Sequence, residues 1–357
     1  MIRQLRLTPE NLSAWLRERE LISPGDKISV EQAGEGNINW VRRARVTRGP
    51  GAGRSWVVKQ ARPTLERFPE YAAPIERAVR EARYYETVEG LGVGGLCPQV
   101  IDFDPEHCVL VLEDLGAAQR LDAAMASGAD VRDTAVALGR FLGRVHTATH
   151  ERRDELSKVF ENEAMKRLHG EHIFHLPYRP NDFPLSDSVS ERAQAVWRDE
   201  ALVATIDRAY ARYLGESPAS DDVRAALVHA DVQPGNVLLS DTGPKLLDPE
   251  IAHVGDPAFD VGILLAHLAL PGLASGQSAA GRGAVDEAWD AYVAEGGAAL
   301  VRFETISVYA GIELLRRTLG AARVAAVATD AASLRVVDRG LDLVRSPARE
   351  ASALVSS

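Results

Sequence analysis

The period of the hydrophobic pattern changes between residues 115 and 122, and this change constrains the fold more than any other feature of the chain. Before it, short segments rich in β-branched residues are separated by glycine-containing turns. These predicted strands span 28–32, 39–45, 55–60, 99–102 and 109–113. After it, long stretches repeat apolar residues at helical spacing. The sequence predicts an α+β chain with two lobes, residues 1–115 and 116–357.

Helices are predicted in both lobes. Thr8-Pro9-Glu10 supplies an N-cap, a first-position proline and an acidic first turn for a short helix that runs towards Glu20. A second helix, over 74–89, would accompany a five-stranded antiparallel sheet. The other predicted helices span 130–149, 188–214, 284–296 and 303–327. A hairpin of strands 236–239 and 244–247 interrupts them, 272–284 is predicted as a flexible loop, and 346–357 as a poorly ordered tail.

Charge and composition narrow the class of protein. The formal net charge of −10 argues against a nucleic-acid partner, which requires a basic surface to neutralise phosphates. The N-terminus lacks the apolar run of a signal peptide, and no uninterrupted apolar stretch of roughly 18 residues predicts a membrane span. Cys97 and Cys108 lack metal-ligand spacing and are interpreted as buried thiols of a reducing compartment. A cytoplasmic enzyme without membrane contact is expected.

The most specific local signal is LVHADVQPGNVLLSDTGPKLLDPE, residues 227–250. Asp231 could orient an acceptor hydroxyl and take its proton, and Asn236, Asp248 and Glu250 could supply oxygen ligands for Mg²⁺ on ATP phosphates. A hairpin between Asn236 and Asp248 would return both to the loop that carries Asp231. These residues could instead fill ordinary turns. The composite spacing favours phosphoryl transfer that uses ATP and Mg²⁺.

A second group of residues could bind the nucleotide. Gly34, Gly36 and Asn37 lie between the first two predicted strands, where backbone N–H groups could cover phosphates, although such a sequence by itself is typical of a hairpin turn. Lys59 lies near the end of the third strand, from which a lysine can reach the α- and β-phosphates. The alternative to a nucleotide role is that Lys59 is simply an exposed lysine on a strand. With the downstream motif present, the nucleotide role is preferred.

Two further predictions complete the nucleotide site. A lysine near phosphates is usually oriented by a carboxylate of the neighbouring helix, and Glu81 is preferred over Glu76, which could complement the helix dipole instead. Backbone groups around Glu113 and Leu115 lie where the lobes meet and could bond an adenine edge. Any strand that ends in a loop would look similar.

Three other features are interpreted as structural. The glycine cluster 47–55 lacks phosphate-loop spacing and is predicted as an exposed turn. His169, His172 and His175 recur every three residues without accompanying cysteines or a tight carboxylate arrangement, so structural or substrate-lining roles are preferred to a metal site. Asp260 could bond backbone groups of the loop around Asp231.

Several segments resemble the protein-kinase-like phosphotransferases of small molecules, which include aminoglycoside phosphotransferases, choline kinases and methylthioribose kinases. LLDPEIAHVGDPAFDVG, KQARP, EDLG, FENEAMKRLHGEHIFHLPY and GIELLRRTLGAARVA are most similar to methylthioribose kinases. The resemblance implies a bilobal protein-kinase-like fold. It also implies that Asp231 is catalytic and that Asp248 and Glu250 bind Mg²⁺. Arg316 and Arg317 would hold substrate or developing phosphate charge.

Helical geometry qualifies the role of the two arginines. Consecutive residues of a helix point about 100° apart, so one guanidinium could serve a pocket while the other pairs elsewhere. Two departures from the resemblance concern the acceptor. A tryptophan expected after Lys59 is absent, and Phe68 and Tyr71 stand there, while VQPGN is closer to aminoglycoside and choline kinases.

The predicted function is transfer of the γ-phosphate of ATP to a hydroxyl of a small sugar-like molecule, with 5-methylthioribose as the leading acceptor. One alternative is an aminoglycoside, amino-sugar or other small-metabolite kinase. Another is a non-catalytic nucleotide-binding protein with this fold. The expected partner is the small-molecule acceptor, alone or together with a second copy of the chain in a homodimer.

Overall fold

A computed structural model describes residues 4–34, 38–64, 66, 72–218 and 222–350. The chain divides into two units, Met1–Ala117 and Ala118–Ser357. The division falls two residues after the predicted boundary at residue 115.

The first unit contains a five-stranded antiparallel sheet. Its strands are β1 (Lys27–Gln32), β2 (Trp40–Arg48), β3 (Ser55–Gln60), β4 (Val100–Asp104) and β5 (Val109–Glu113), in the order β1-β2-β3-β5-β4. Two helices, α1 (Pro9–Glu18) and α2 (Arg77–Gly90), accompany the sheet. The predicted five-stranded antiparallel sheet is confirmed.

The ends of the first unit's helices and the sheet core follow from local sequence. Thr8 caps α1, because its side chain accepts a hydrogen bond from the Asn11 N–H while the Asn11 side chain accepts one from the Thr8 N–H. Trp15 of α1 packs with Trp40 and Val58 of the sheet in one buried cluster. Burial of these large side chains fixes which face of the sheet α1 covers.

The second unit is mainly helical, as predicted. Its helices are α3 (Leu121–Ala126), α4 (Arg132–His150), α5 (Arg153–Val159), α6 (Glu163–Gly170), α7 (Asp187–Trp197), α8 (Glu200–Leu214), α9 (Pro257–Ser275), α10 (Ser278–Ala294), α11 (Phe303–Leu319) and α12 (Asp330–Arg345). Its short strands are β6 (Gln119–Arg120), β7 (Ala226–Val228), β8 (Val237–Ser240), β9 (Gly243–Leu246) and β10 (His253–Gly255). They form a three-stranded sheet, β6-β8-β9, and a pair, β10-β7.

Several predicted boundaries are wrong. The single helix 188–214 is two helices, because Asp199 accepts a hydrogen bond from the Leu202 N–H and starts α8 anew. The predicted loop 272–284 is mostly helix, with a break at Gly276, whose φ of 76° ends α9. The helix predicted over 303–327 ends at Leu319. Of the predicted tail, residues 347–350 are helical and 351–357 lie outside the described residues.

The helix α9 was not predicted because it is apolar on every face and lacks an amphipathic period. Among the described residues it is the one helix long and apolar enough to cross a membrane by length and composition. Within the structure, however, 78% of that apolar window is buried. It therefore forms the core of the second unit, packed against α10, α11 and α12.

Two glycines allow α4 and α10 to approach closely. A Cβ on Gly139 would lie 2.0 Å from the Ala288 carbonyl oxygen, and one on Gly143 would lie 2.9 Å from the Tyr292 carbonyl oxygen. Real Cβ atoms do not approach backbone this closely. The absence of a side chain at both positions therefore sets the depth of α4 in the second unit.

Candidate active site

The loop that carries Asp231 follows β7 and is held by Asp260 in the first turn of α9. Oδ2 of Asp260 accepts a hydrogen bond from the His229 N–H at 2.7 Å, and Oδ1 accepts one from the Ala230 N–H at 2.8 Å. Ala230 has a φ of 68°, a left-handed conformation that costs free energy for a non-glycine residue. The two bonds to fully buried Asp260 hold this turn, so its predicted role is confirmed.

We expect Asp260→Ala to lower the free energy of unfolding by about 3 kcal/mol, because two buried N–H donors lose their acceptor. Urea denaturation at neutral pH measures this change. Asp290→Ala, at an exposed position of α10, is the matched control and should leave the free energy of unfolding nearly unchanged. Equal stability of the two variants would contradict the anchoring role.

The Asp231 carboxylate is bonded through one oxygen. Its Oδ2 accepts hydrogen bonds from Asn236 Nδ2 at 2.7 Å and from Gln233 Nε2 at 3.3 Å. Asn236 Nδ2 also contacts the Asp231 carbonyl oxygen at 3.0 Å, across a tight turn over Pro234–Asn236. No side chain or backbone group of the described residues donates to Oδ1. The carboxylate is thus oriented and keeps one oxygen able to accept a proton.

Positive charges near Asp231 keep it ionised. Burial alone would raise the pKa of Asp231, but His169, Arg317 and Arg316 outweigh it, and the pKa lies below the ordinary value. Burial lowers the pKa of His169 to about 3, so this histidine is neutral at neutral pH. The two guanidiniums are therefore the standing charges that favour the Asp231 carboxylate.

The hairpin of β8 and β9 returns beside this loop, as predicted. Val237 pairs with Leu246, and the Leu247 N–H donates to the Asn236 carbonyl oxygen at 2.8 Å. His229 joins loop to hairpin: Nδ1 accepts from the Asp231 N–H at 3.2 Å, so Nε2 carries the proton and donates to the Leu247 carbonyl oxygen at 3.1 Å. Asp248 follows directly, with a φ of 64°.

The predicted metal ligands are all oxygen donors. Since Nδ2 of Asn236 is used by Asp231, its Oδ1 is the atom that suits a cation. Asp248 is partly exposed and Glu250 is buried. Within the described ranges, no group of three or more His, Cys, Asp and Glu side chains forms a ready metal site. Mg²⁺ does not need one, since it binds through one or two carboxylates, waters and substrate phosphates. These residues fit Mg²⁺.

Both predicted arginines contact the same buried carboxylate on α11. Arg316 Nε lies 2.7 Å from Glu313 Oε2, and Arg317 Nε lies 2.6 Å from Glu313 Oε1. The two Nε atoms therefore share one partner, and the prediction that one guanidinium serves a pocket stays a prediction. A carboxylate three and four residues earlier on a helix can reach both. Arg317 Nη2 also donates to Gln233 Oε1 at 3.0 Å, which connects the pair to Asp231.

Sequence reasoning missed three residues of this network, Gln233, Glu313 and His267. His267 Nε2 lies 2.8 Å from Glu313 Oε1. The spacing Glu-x-x-Arg-Arg on α11 was a signal for the Glu313 contacts. His267 had none, because its helix α9 was not predicted.

In the first unit, Lys59 pairs with Glu81. Lys59 Nζ lies 2.6 Å from Glu81 Oε2, and the two side chains are 7% and 1% exposed. The hydroxyl of Tyr85 donates to Glu81 Oε1 at 3.3 Å. Glu76 stands instead at the N-cap of α2. The preference for Glu81 over Glu76 is confirmed, and Lys59 is not an exposed strand lysine.

The remaining nucleotide-site predictions concern five residues of the first unit. Gly34 is left-handed, with a φ of 69°, whereas Gly36 and Asn37 lie outside the described residues, as do Phe68 and Tyr71. Glu113 ends β5, where its N–H donates to the Gln99 carbonyl oxygen at 3.0 Å. Leu115 follows two residues later and is partly exposed.

The three histidines of 169–175 have separate partners. His169 Nδ1 contacts the Tyr213 hydroxyl at 3.2 Å, His172 Nδ1 contacts the Leu168 carbonyl oxygen at 2.9 Å, and His175 lies near Glu171. They do not converge on one metal site. A structural role suits His169, whose ring packs against Tyr213.

We expect stability to fall as the pH drops from 7 to 5. Burial lowers the pKa of His169 to about 3 and that of His253 to about 4. Below pH 6.5 these two histidines therefore become protonated in the unfolded chain but stay neutral in the folded chain, which destabilises the folded state. Each should cost about 2 kcal/mol at pH 5. Urea denaturation at both pH values tests this. His253→Gln should reduce the loss of stability, whereas His175→Gln, at a partly exposed position, should not. Equal losses in the two variants would contradict the expectation.

With this geometry established, comparison with known proteins assigns the class. The profile of the phosphotransferase enzyme family matches residues 29–300. The chain belongs to this family, and the predicted enzyme class, a small-molecule kinase acting on an alcohol group, is confirmed.

Curated relatives cover most of the chain. The methylthioribose kinase of Pectobacterium carotovorum subsp. carotovorum (strain PC1) is 28% identical over 345 residues, 85% of this chain and 82% of that protein. The methylthioribose kinase of Bacillus velezensis is 25% identical over 350 residues, 90% of this chain and 85% of that protein.

Solved structures share the fold at low identity. Choline kinase from Cryptosporidium parvum Iowa II has a TM-score of 0.54 at 11% identity and covers 96% of each chain. Spectinomycin phosphotransferase in complex with ADP and spectinomycin has a TM-score of 0.51 at 12% identity, with 95% of this chain and 99% of that chain covered. The predicted kinase-like fold is confirmed.

Proposed function

We propose that this enzyme transfers the γ-phosphate of ATP to a hydroxyl of a small sugar-like molecule, with 5-methylthioribose as the leading acceptor. The observation that carries the proposal is the Asp231 carboxylate, held through Oδ2 by Asn236 and Gln233 with Oδ1 left to accept a proton. Relatives named methylthioribose kinase over more than four-fifths of the chain support the acceptor.

Asp231 acts as the base of the proposed reaction. Its Oδ1 orients the acceptor hydroxyl and takes the proton as the oxygen bonds to the γ-phosphorus, while the bond from that phosphorus to the bridging oxygen breaks and ADP leaves. The lowered pKa of Asp231 keeps this carboxylate ionised at neutral pH.

Asn236, Asp248 and Glu250 are proposed to hold Mg²⁺ through their oxygens. When bound, the ion neutralises phosphate charge during transfer. Asn236 serves two groups: its amide nitrogen orients Asp231 and its amide oxygen remains for the cation. The bond from the Leu247 N–H to the Asn236 carbonyl oxygen brings the backbone before Asp248 beside the backbone of Asn236.

The first unit is proposed to bind the nucleotide. Lys59, fixed by buried Glu81, contacts the α- and β-phosphates. Backbone N–H groups of Gly34, Gly36 and Asn37 cover the phosphates. The remaining nucleotide contacts are backbone groups of Glu113 and Leu115, which bond the adenine edge.

The net charge of Glu313 and the side chains that contact it influences which acceptors the site would favour. Two guanidiniums and one carboxylate, with His267 neutral because burial lowers its pKa, leave one net positive charge beside Asp231. Arg316 and Arg317 are proposed to stabilise negative charge that develops on the transferred phosphoryl group. A positive charge here disfavours cationic acceptors such as choline or an aminoglycoside.

An ADP-release assay with matched concentrations of methylthioribose, choline, amino sugars, aminoglycosides and homoserine tests the proposal. We expect turnover with methylthioribose above all others. Turnover confined to cationic acceptors would overturn the acceptor and retain the kinase. ATP binding without ADP release from any acceptor would support a non-catalytic nucleotide-binding protein instead.

The proposed setting is the cytoplasm, where ATP is available and where the thiols of Cys97 and Cys108 stay reduced; both cysteines are buried and neither forms a disulfide. The small-molecule acceptor is the proposed partner, and a homodimer is proposed as the assembly to test. Sedimentation equilibrium of the purified chain distinguishes a dimer from a monomer.

A further inference from the structure

Gln233 bridges two groups of opposite charge. Its Oε1 accepts a hydrogen bond from Arg317 Nη2 at 3.0 Å, and its Nε2 donates to Asp231 Oδ2 at 3.3 Å. An amide has an acceptor at one end and a donor at the other, so each end meets the partner it requires. The reverse orientation would place N–H groups against the guanidinium and oxygen against the carboxylate. The two contacts therefore fix the direction of the amide.

Arg317 is itself held firmly. Its Nε lies 2.6 Å from Oε1 of Glu313, which is fully buried. Burial alone would raise the pKa of Glu313, but the charges of Arg316 and Arg317 and the bond from His267 bring that pKa well below the ordinary value. Glu313 is thus ionised and anchors Arg317, which makes Arg317 a rigid support for Gln233.

Both amide donors of the loop contact the same oxygen of Asp231. Asn236 and Gln233 each donate to Oδ2, and no group of the described residues donates to Oδ1. We propose that Gln233 is a positioning residue that, supported by Arg317 and Glu313, turns the Asp231 carboxylate so that Oδ1 alone faces the acceptor hydroxyl. This inference rests on the proposed role of Asp231 as the base.

The decisive variant is Gln233→Glu, which keeps the size of the side chain and its acceptor for Arg317. It replaces the donor to Asp231 by a second carboxylate. Like charge raises the pKa of the neighbouring acid, so the pKa of Asp231 should rise by about one pH unit or more. The acid limb of kcat/KM should move to higher pH by the same amount.

Selective ¹³Cγ labelling of aspartate in the full-length chain follows the Asp231 carboxylate by NMR, with Asp231→Asn to assign its resonance. Gln194→Glu is the matched control, because exposed Gln194 likewise accepts a hydrogen bond from an arginine, Arg198, at 3.3 Å. We expect no change of the Asp231 pKa in the control. The inference would be overturned if the pKa of Asp231 stayed the same in Gln233→Glu, or if it changed as much in Gln194→Glu.

Gln233→Leu removes both contacts without adding charge. We expect kcat to fall about ten- to hundredfold and KM for ATP to stay within about twofold, because the base loses its orientation and the nucleotide contacts remain. Unchanged kcat would contradict the positioning role. If no acceptor is phosphorylated by the wild-type enzyme, the proposed function fails, whereas the NMR titration still decides whether Gln233 is coupled to Asp231.

Discussion

Asp231→Asn should lower kcat about a thousandfold while KM for ATP changes little, because the variant keeps the shape of the side chain and loses the carboxylate proposed to accept the proton. The structure shows why the orientation of the side chain should survive this substitution. Asn236 and Gln233 both donate to Oδ2, so an asparagine at 231 can still accept these bonds through its amide oxygen. Coupled ADP release under saturating acceptor measures kcat.

Asp241→Asn provides the control for this variant. Asp241 lies at the exposed turn of the hairpin of β8 and β9. Its change to asparagine, like that at Asp231, replaces one carboxylate by an amide. Its kcat should stay within about twofold of the wild type. A similar loss in both variants, or a wild-type rate in Asp231→Asn, would remove Asp231 from the role of base.

The pH dependence follows from the same carboxylate. Because the pKa of Asp231 lies below the ordinary value, Asp231 is ionised at neutral pH and loses its charge only in strongly acidic solution. The wild-type acid limb of kcat/KM, measured over the range where the enzyme stays folded, should therefore lie below about pH 4.

The second large effect is expected in the first unit. Lys59→Met should lower kcat/KM for ATP about a hundredfold or more, since the contact proposed between this lysine and the phosphates would be lost. Glu81→Gln should give a smaller loss, because Lys59 remains but its partner at 2.6 Å loses its charge. Steady-state kinetics with varied ATP separates the two.

Glu86→Gln is the matched control on the same helix. Glu86 pairs with Arg83 at 2.6 Å, but both side chains are about half exposed, and such surface pairs contribute little. We expect its kinetics to match the wild type. Equal losses in Glu81→Gln and Glu86→Gln would show that the buried pair has no special part in nucleotide binding.

Local sequence determined some elements of this fold closely. The predicted bounds of β3 and β5 agree with the structure, since alternating apolar residues between glycine turns leave few other arrangements. The loop 229–236 and its hairpin were also predictable, because Asp231, Asn236 and Asp248 follow one another at a characteristic spacing. Glu81 was preferred for its place in the middle of α2.

Long-range packing determined the rest. The core helix α9 is apolar on every face, so no period marks it, and its neighbour α10 begins within a glycine-rich stretch that read as a loop. The convergence of His267 and Glu313 depends on two helices whose packing is set far from either residue. Such contacts are invisible to reasoning that examines one segment at a time.

The close approach of α4 to α10 has a consequence for how this enzyme could diverge. His146 of α4 lies 3.3 Å from Asp260, the carboxylate that holds the turn before Asp231. An alanine at Gly139 would push α4 away from Ala288 and carry His146 with it. Gly139 has no side chain and lies far along the chain from Asp231, yet a larger residue there would displace His146. The spacing of these two helices is thus a condition for holding the turn before Asp231, although no described residue of either helix forms a hydrogen bond with Asp231.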